Sequence, residues 1–134
     1  MNEPISDLEI LLRSLEPELH EGTYVYSSVP PQTDLRGISP IATFLESEGL
    51  TVIVAERDAA KANLPILFRA AWITLTVNSD LQAVGLTAAF STALGNVGIS
   101  CNVIAGSYHD HIFVPIERAE EAMTALHALQ RNAV

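Results

Sequence analysis

The chain has 134 residues, of which 49% are hydrophobic and 17% are charged, and its net charge is −9. This composition predicts one folded domain or two small fused ones and argues against disorder. Only seven residues are Lys or Arg, so neither nucleic acids nor anionic membranes are expected as partners. A single cysteine excludes an internal disulfide, and no secretory leader or apolar stretch of about 20 residues is evident. We therefore expect a cytoplasmic protein.

The first half of the chain predicts helices and strands in alternation. Leucines at helical spacing follow Asp7, which can cap a helix as Ser6 can, and Pro17 ends that helix. Gly49 is placed to cap a later helix at its C-terminus. The expected elements are a helix from Leu8 to Leu15, a strand over 23–29, a helix over 40–48, a strand over 50–55 and a helix over 56–63.

The second half predicts the order β-α-β-β-α, and it echoes the first half. The segment VIVAERDAAKANL (52–64) is similar to IFVPIERAEEAMTAL (112–126), as two copies of one structural unit would be. We therefore predict an α+β fold with two split βαβ units, over residues 1–67 and 68–134. The expected elements are a strand over 71–77, a turn over 78–80, a helix over 81–96, strands over 99–105 and 111–115, and a helix over 117–130.

A polar turn over residues 106–111 carries more chemistry than a hairpin needs. It holds His109, Asp110 and His111, and Cys101 precedes it in the preceding apolar run. On a regular strand the two histidines face the same side about 6–7 Å apart, which makes them weak candidates for a metal site that needs a third ligand. A Cys/His nucleophile would need an imidazole beside the thiol. No complete metal or nucleophile motif is present, so no metal, cofactor or catalytic residue is predicted.

Residues 70–115, from AAWITLTV through ISCNVIAG to HDHIFVP, resemble an ACT domain, and FLESEGLTVIVAE (44–56) extends the resemblance into the first half. The chain is most similar to small bacterial proteins with two fused ACT-like halves. It is more distantly similar to the ACT modules of aspartate kinases and of cytosolic arginine sensors. The resemblance implies tandem ferredoxin-like βαββαβ units, with antiparallel sheets and helices packed on one face.

The resemblance also implies a ligand site between two ACT modules. The ligand carboxylate would meet backbone N–H groups at a helix start, and its amino group would meet polar atoms of a neighbouring strand. Asp110 would pair with a cationic group, and glycine at position 85 would let the backbone approach the ligand. The implied ligand-binding residues are Val84, Gly85, Leu86, Asn102, Ile104 and Asp110.

The favoured hypothesis is a regulatory protein, not an enzyme, that binds an amino acid or a similar small molecule. We expect a homodimer, since exposed edge strands favour sheet pairing, and an enzyme or transporter partner that responds to the ligand. Two alternatives stay open. One is a small metal- or Cys/His-dependent enzyme centred on residues 101–111, and the other is a purely structural interaction module.

Overall fold

The computed structural model of the chain describes residues 7–77, 82 and 84–132. Its elements are α1 (Leu8–Ser14), β1 (Glu16–Leu19), β2 (Tyr24–Val29), β3 (Ala42–Leu45), β4 (Leu50–Ala55), α2 (Glu56–Lys61), β5 (Phe68–Thr76), α3 (Leu86–Asn96), β6 (Asn102–Ala105), β7 (Asp110–Pro115), a 3-10 turn (Ile116–Arg118) and α4 (Ala119–Arg131). None of the helices within these residues is both long and apolar enough to cross a membrane.

The chain forms two compact units. The smaller unit is residues 21–71, and the larger unit comprises the described residues up to His20 and from Trp72 onward. The predicted α+β class and the antiparallel ferredoxin-like arrangement are confirmed. The division of the sequence into halves at 67/68 stays a prediction.

The smaller unit is a sheet with the strand order β3-β4-β2 and then the first residues of β5. Within residues 21–71, all of which the structure describes, no helix lies between β2 and β3. Leu35 and Ile38 from the loop that joins these strands pack onto the core in the place where a helix would lie. The buried core of this unit consists of Val25, Val29, Val52, Val54 and Ala59.

The predicted helix over 40–48 is wrong, because the segment forms the edge strand β3. It pairs with β4 through a tight turn in which the Glu46 N–H donates to the Gly49 carbonyl at 2.9 Å. A helix here would have buried Phe44, yet this side chain is 71% exposed. Backbone pairing with β4 outweighs the helical spacing of a few apolar residues. Gly49 is therefore a turn residue and not a helix cap.

The larger unit has the strand order β1-β5-β7-β6. The strand beside β5 comes from residues 16–19, so a segment early in the chain completes this sheet. The alternate residues of β5 and β7 that face the helices are fully buried against α1, α3 and α4. These core residues include Leu11, Ile73, Leu75, Phe90, Leu94, Ile112, Val114, Ala122 and Leu126.

The structure confirms one local prediction about the larger unit and moves the start of two predicted elements. Asp7 caps α1, since its Oδ1 accepts from the Ile10 N–H at 3.1 Å. The helix predicted over 81–96 begins only at Leu86, and Gly85 is its N-cap instead of lying within it. The strand predicted over 99–105 begins at Asn102. Ser6, the turn over 78–80 and the predicted helix start at 81 lie outside the described residues.

Candidate functional site

The hairpin of β6 and β7 divides the predicted site residues between two faces of the sheet. Asp110 opposes Ala105 in the register and alternates with Ile112 and Val114, which are buried beneath the helices. Because side chains alternate along a strand, Asp110 lies on the helix-covered face, while His111 lies on the opposite, open face.

The N-terminus of α3 lies at the same end of the sheet as Asp110. Arg118, just after β7, donates to the carbonyls of Val97 and Gly98 at 2.9 and 3.3 Å, which places the C-terminus of α3 at the far end of β7. The 11-residue helix spans about 16 Å, which is close to the length of β7. Its N-terminus therefore lies at the Asp110 end. Nδ1 of His109 is 3.4 Å from the Val77 carbonyl, so β5 also ends here.

Asp110 is a largely buried residue whose carboxylate has no polar partner among the described residues. It is 8% exposed, and no hydrogen bond or ion pair within the described part of the chain reaches its side chain. Burial raises the pKa of this carboxyl, and the neighbouring His111 opposes part of that rise. A buried charge without a partner is costly, so this position would bind a cation favourably.

The start of α3 offers the opposite polarity. Gly85, the N-cap, adopts φ +103, a left-handed conformation that suits glycine, and it has no side chain with which to cap the helix. First-turn N–H groups without a cap favour an anion. Val84 is 84% exposed, whereas Leu86 is buried and can offer only its backbone. The Leu8 side chain packs here, since a Cβ on residue 85 would lie 2.9 Å from Leu8 Cδ2.

Asn102 and Ile104 lie apart from this group. In the register they oppose Phe113 and His111, so they belong to the open face of the sheet. The side-chain amide of Asn102 donates to the Phe113 carbonyl at 3.2 Å. In the strand order β6 is an edge strand. The six predicted ligand-binding residues thus form two groups, one on each face.

The side chains of His109 and His111 make different contacts. His111 Nδ1 accepts from Trp72 Nε1 at 3.1 Å and lies 3.1 Å from Thr74 Oγ1. Its lone pair is therefore already engaged, and His109 points to the end of β5. Among the residues that the structure describes, no cluster of three or more His, Cys, Asp or Glu side chains could hold a metal ion.

The Cys101 thiol is not activated as a nucleophile. The thiol is half-buried, and burial raises its pKa to about 11. A reactive cysteine needs a lowered pKa, which an adjacent cation or helix N-terminus supplies. The predicted alternative of a Cys/His enzyme therefore has no support from this residue.

The sequence analysis missed the polar cluster behind the hairpin. His20 stacks on Trp72 with ring centroids 3.6 Å apart, and its Nε2 lies 2.7 Å from Thr74 Oγ1. The alternation of Trp72 and Thr74 on a predicted strand could have revealed their common face. His20 could not be placed, because β1 contains Pro17 and was not predicted as a strand.

A separate cleft of about 540 Å³ lies in the smaller unit. It is lined by residues at the starts of β2 and α2, including Glu21, Tyr24 and Arg57. None of the predicted site residues lines it, so we place the candidate site at the Asp110 end of the larger unit.

Comparison with known proteins identifies the fold in both parts of the chain. Two ACT-domain family models match, over residues 3–71 and 67–128. A crystal structure of a Vibrio cholerae protein of unknown function, described as a possible transport protein, is 50% identical, with 92% of this chain and 95% of that one covered and a TM-score of 0.83. A search of curated proteins found no match.

More distant structures share the fold alone. Protein Atu0741 from Agrobacterium tumefaciens is 12% identical, covers 87% of this chain and 89% of its own, and has a TM-score of 0.73. The ligand-free regulatory subunit of aspartate kinase from Thermus thermophilus is 14% identical, with 84% and 95% covered and a TM-score of 0.62. The two tandem family matches and the similarity to the Vibrio cholerae protein show that the chain belongs to the ACT-domain family.

Proposed function

We propose that this chain is a regulatory protein that binds an amino acid or a similar zwitterion between Asp110 and the start of α3. The observation that carries the proposal is Asp110, a largely buried residue whose carboxylate makes no hydrogen bond or ion pair with the described residues. An ammonium or guanidinium group of a ligand would offset the cost of burying this charge.

The start of α3 complements that cation site. A ligand carboxylate would accept hydrogen bonds from N–H groups at Val84, Gly85 and Leu86, where the helix dipole favours a negative charge. A zwitterion could place its two charges on these two groups at once. The regulatory role follows the ACT family, and a regulatory subunit of aspartate kinase shares the fold.

We propose that a second copy of the chain supplies the remaining residues. Asn102 and Ile104 lie on the other face of the hairpin from Asp110, so one copy does not present all six residues to one ligand. A ligand between copies would favour one arrangement of the dimer, which an enzyme or transporter could detect.

Thermal-shift screening against the twenty standard L-amino acids tests this proposal. At least one should raise the melting temperature, because a ligand of the folded state stabilises it by mass action. Asp110→Asn removes the charge at nearly constant shape and should abolish that rise. Asp58→Asn, on α2 of the smaller unit, is the matched control and should retain it.

The same screen tests the arrangement of two copies. Asn102→Ala should weaken the response, and a mixture of the Asp110→Asn and Asn102→Ala chains should regain part of it, since mixed dimers contain one intact site. A set of amino acids that all leave the wild-type melting temperature unchanged would contradict the proposal. That outcome, with no response to divalent metals either, would favour the structural interaction module.

A further inference from the structure

Four side chains on the open face of the larger sheet form a chain of hydrogen bonds. His20 Nε2 lies 2.7 Å from Thr74 Oγ1, and that hydroxyl lies 3.1 Å from His111 Nδ1. Trp72 Nε1 reaches the same His111 nitrogen at 3.1 Å. The chain therefore joins β1, β5 and β7 from side to side, and we call it the histidine relay.

The histidine relay permits one arrangement of protons. Indole N–H can only donate, so His111 Nδ1 must be an acceptor and its proton must lie on Nε2. Thr74 then donates its hydroxyl proton to His111 Nδ1. The remaining lone pairs of Thr74 accept from His20, whose Nε2 therefore carries a proton. Each bond has one donor and one acceptor in this arrangement.

His20 and His111 respond differently to an added proton. His20 can take it on Nδ1 and keep its bond to Thr74, while the cation stacks on Trp72. His111 can take it only on Nδ1, where the new N–H would point at the indole N–H, which can only donate. Protonation of His111 must therefore break its bond to Trp72, whereas the Thr74 hydroxyl can rotate and accept from the new N–H.

We propose that His111 is the positioning residue for the ligand site, and that the Trp72–His111 bond of the histidine relay holds the start of β7 only while His111 is neutral. The site itself rests on the function proposed above. His111 follows Asp110 directly, and its ring lies against the hairpin turn, since a Cβ on Gly106 would be 3.4 Å from His111 Nε2. Release of the ring would free both the turn and Asp110.

The surroundings set the direction of the pH dependence. Burial is the main cause that lowers the pKa of His111, and His109 and His20 lower it further, while Asp110 opposes them. Burial also lowers the pKa of His20, against the opposing charge of Glu18 on β1. Thr74 and Trp72 on β5, with Ile104 on β6, add no charge. The Trp72–His111 bond is thus intact above the ordinary histidine pKa near 6.5 and is lost as the pH falls below it.

Nuclear magnetic resonance of the imidazole nitrogens in the ligand-free protein tests the proposal. At neutral pH, His111 should carry its proton on Nε2 alone. Its titration midpoint should lie below the ordinary histidine value near 6.5. Trp72→Phe removes the indole donor and should move the His111 midpoint upward. The Asp110 amide signal should shift along the same curve as His111.

Two results would overturn the proposal. A proton on Nδ1 of His111 at neutral pH would show that the relay is wrongly assigned. An Asp110 amide signal that ignores the His111 titration would show that His111 does not position it. These readouts need no ligand, so they stay separate from a failure of the amino-acid screen.

Discussion

Asp110 combines the strongest argument for function with a cost in stability. The residue is largely buried in the ligand-free protein, and the pKa of its carboxyl is raised because burial penalises the charged form. Residues at functional sites are often less than optimal for stability, because the binding partner supplies what the protein lacks. The proposed role therefore predicts that Asp110 favours ligand binding at the expense of stability.

Asp110→Asn should stabilise the ligand-free protein while abolishing its response to amino acids. We expect a gain of about 1 kcal/mol at pH 7.5, a size common for relief of such conflicts. The sign follows from the raised pKa: the unfolded chain ionises this carboxyl more readily, so its ionisation favours unfolding as the pH rises. The gain should be smaller at pH 4 than at pH 7.5, because the raised pKa lets the folded wild-type protein take up a proton more readily than the unfolded chain as the pH falls.

Urea unfolding of the two proteins at both pH values measures this effect. A variant less stable than the wild type at pH 7.5 would mean that the carboxylate has a stabilising partner, and the argument for a cation-binding role would be lost.

Among the elements, those with a regular pattern were predicted well from the sequence. The strands β2 and β4 and the helix α4 have continuous apolar or amphipathic patterns, and they lie close to where they were expected. Two short edge strands, β1 and β3, were not predicted. β1 is stabilised by backbone pairing with distant residues, such as Glu18 with Thr74, and β3 by its hairpin with β4, and the apolar spacing of these segments reveals neither pairing.

The tight turn between β3 and β4 can be tested at Gly49. A Cβ there would lie 3.0 Å from the Val29 carbonyl oxygen and 3.3 Å from Ser28 Oγ. Gly49→Ala should therefore destabilise the protein by about 1–3 kcal/mol, since the backbone of β2 must move.

Gly95→Ala is the matched control for that substitution. Gly95 lies within α3, and a Cβ there would meet nothing within 4 Å. Alanine should stabilise the protein by up to about 1 kcal/mol, because it favours the helix over the unfolded chain. Thermal or urea unfolding of the pair should thus give changes of opposite sign. Equal changes would contradict the assignment of Gly49 to a packed turn.

For the molecule as a whole, the sequence predicted the family and the fold class, and the position of the ligand site stays a prediction. Asp110, Val84 and Gly85 do lie at one end of the larger sheet. The sequence could not show that Asn102 and Ile104 belong to the other face, because the register of the β6–β7 hairpin decides it. It also could not reveal the histidine relay, which joins residues 54 positions apart.

The central claim is that a ligand cation pairs with the Asp110 carboxylate. The most direct measurement is a carbon-13 titration of that carboxyl by nuclear magnetic resonance, with and without the amino acid that most raises the melting temperature. The account predicts a midpoint above the ordinary aspartate value in the ligand-free protein, and a clear fall when the ligand binds, because a nearby cation favours the charged form. A midpoint that is the same with and without the ligand would contradict it.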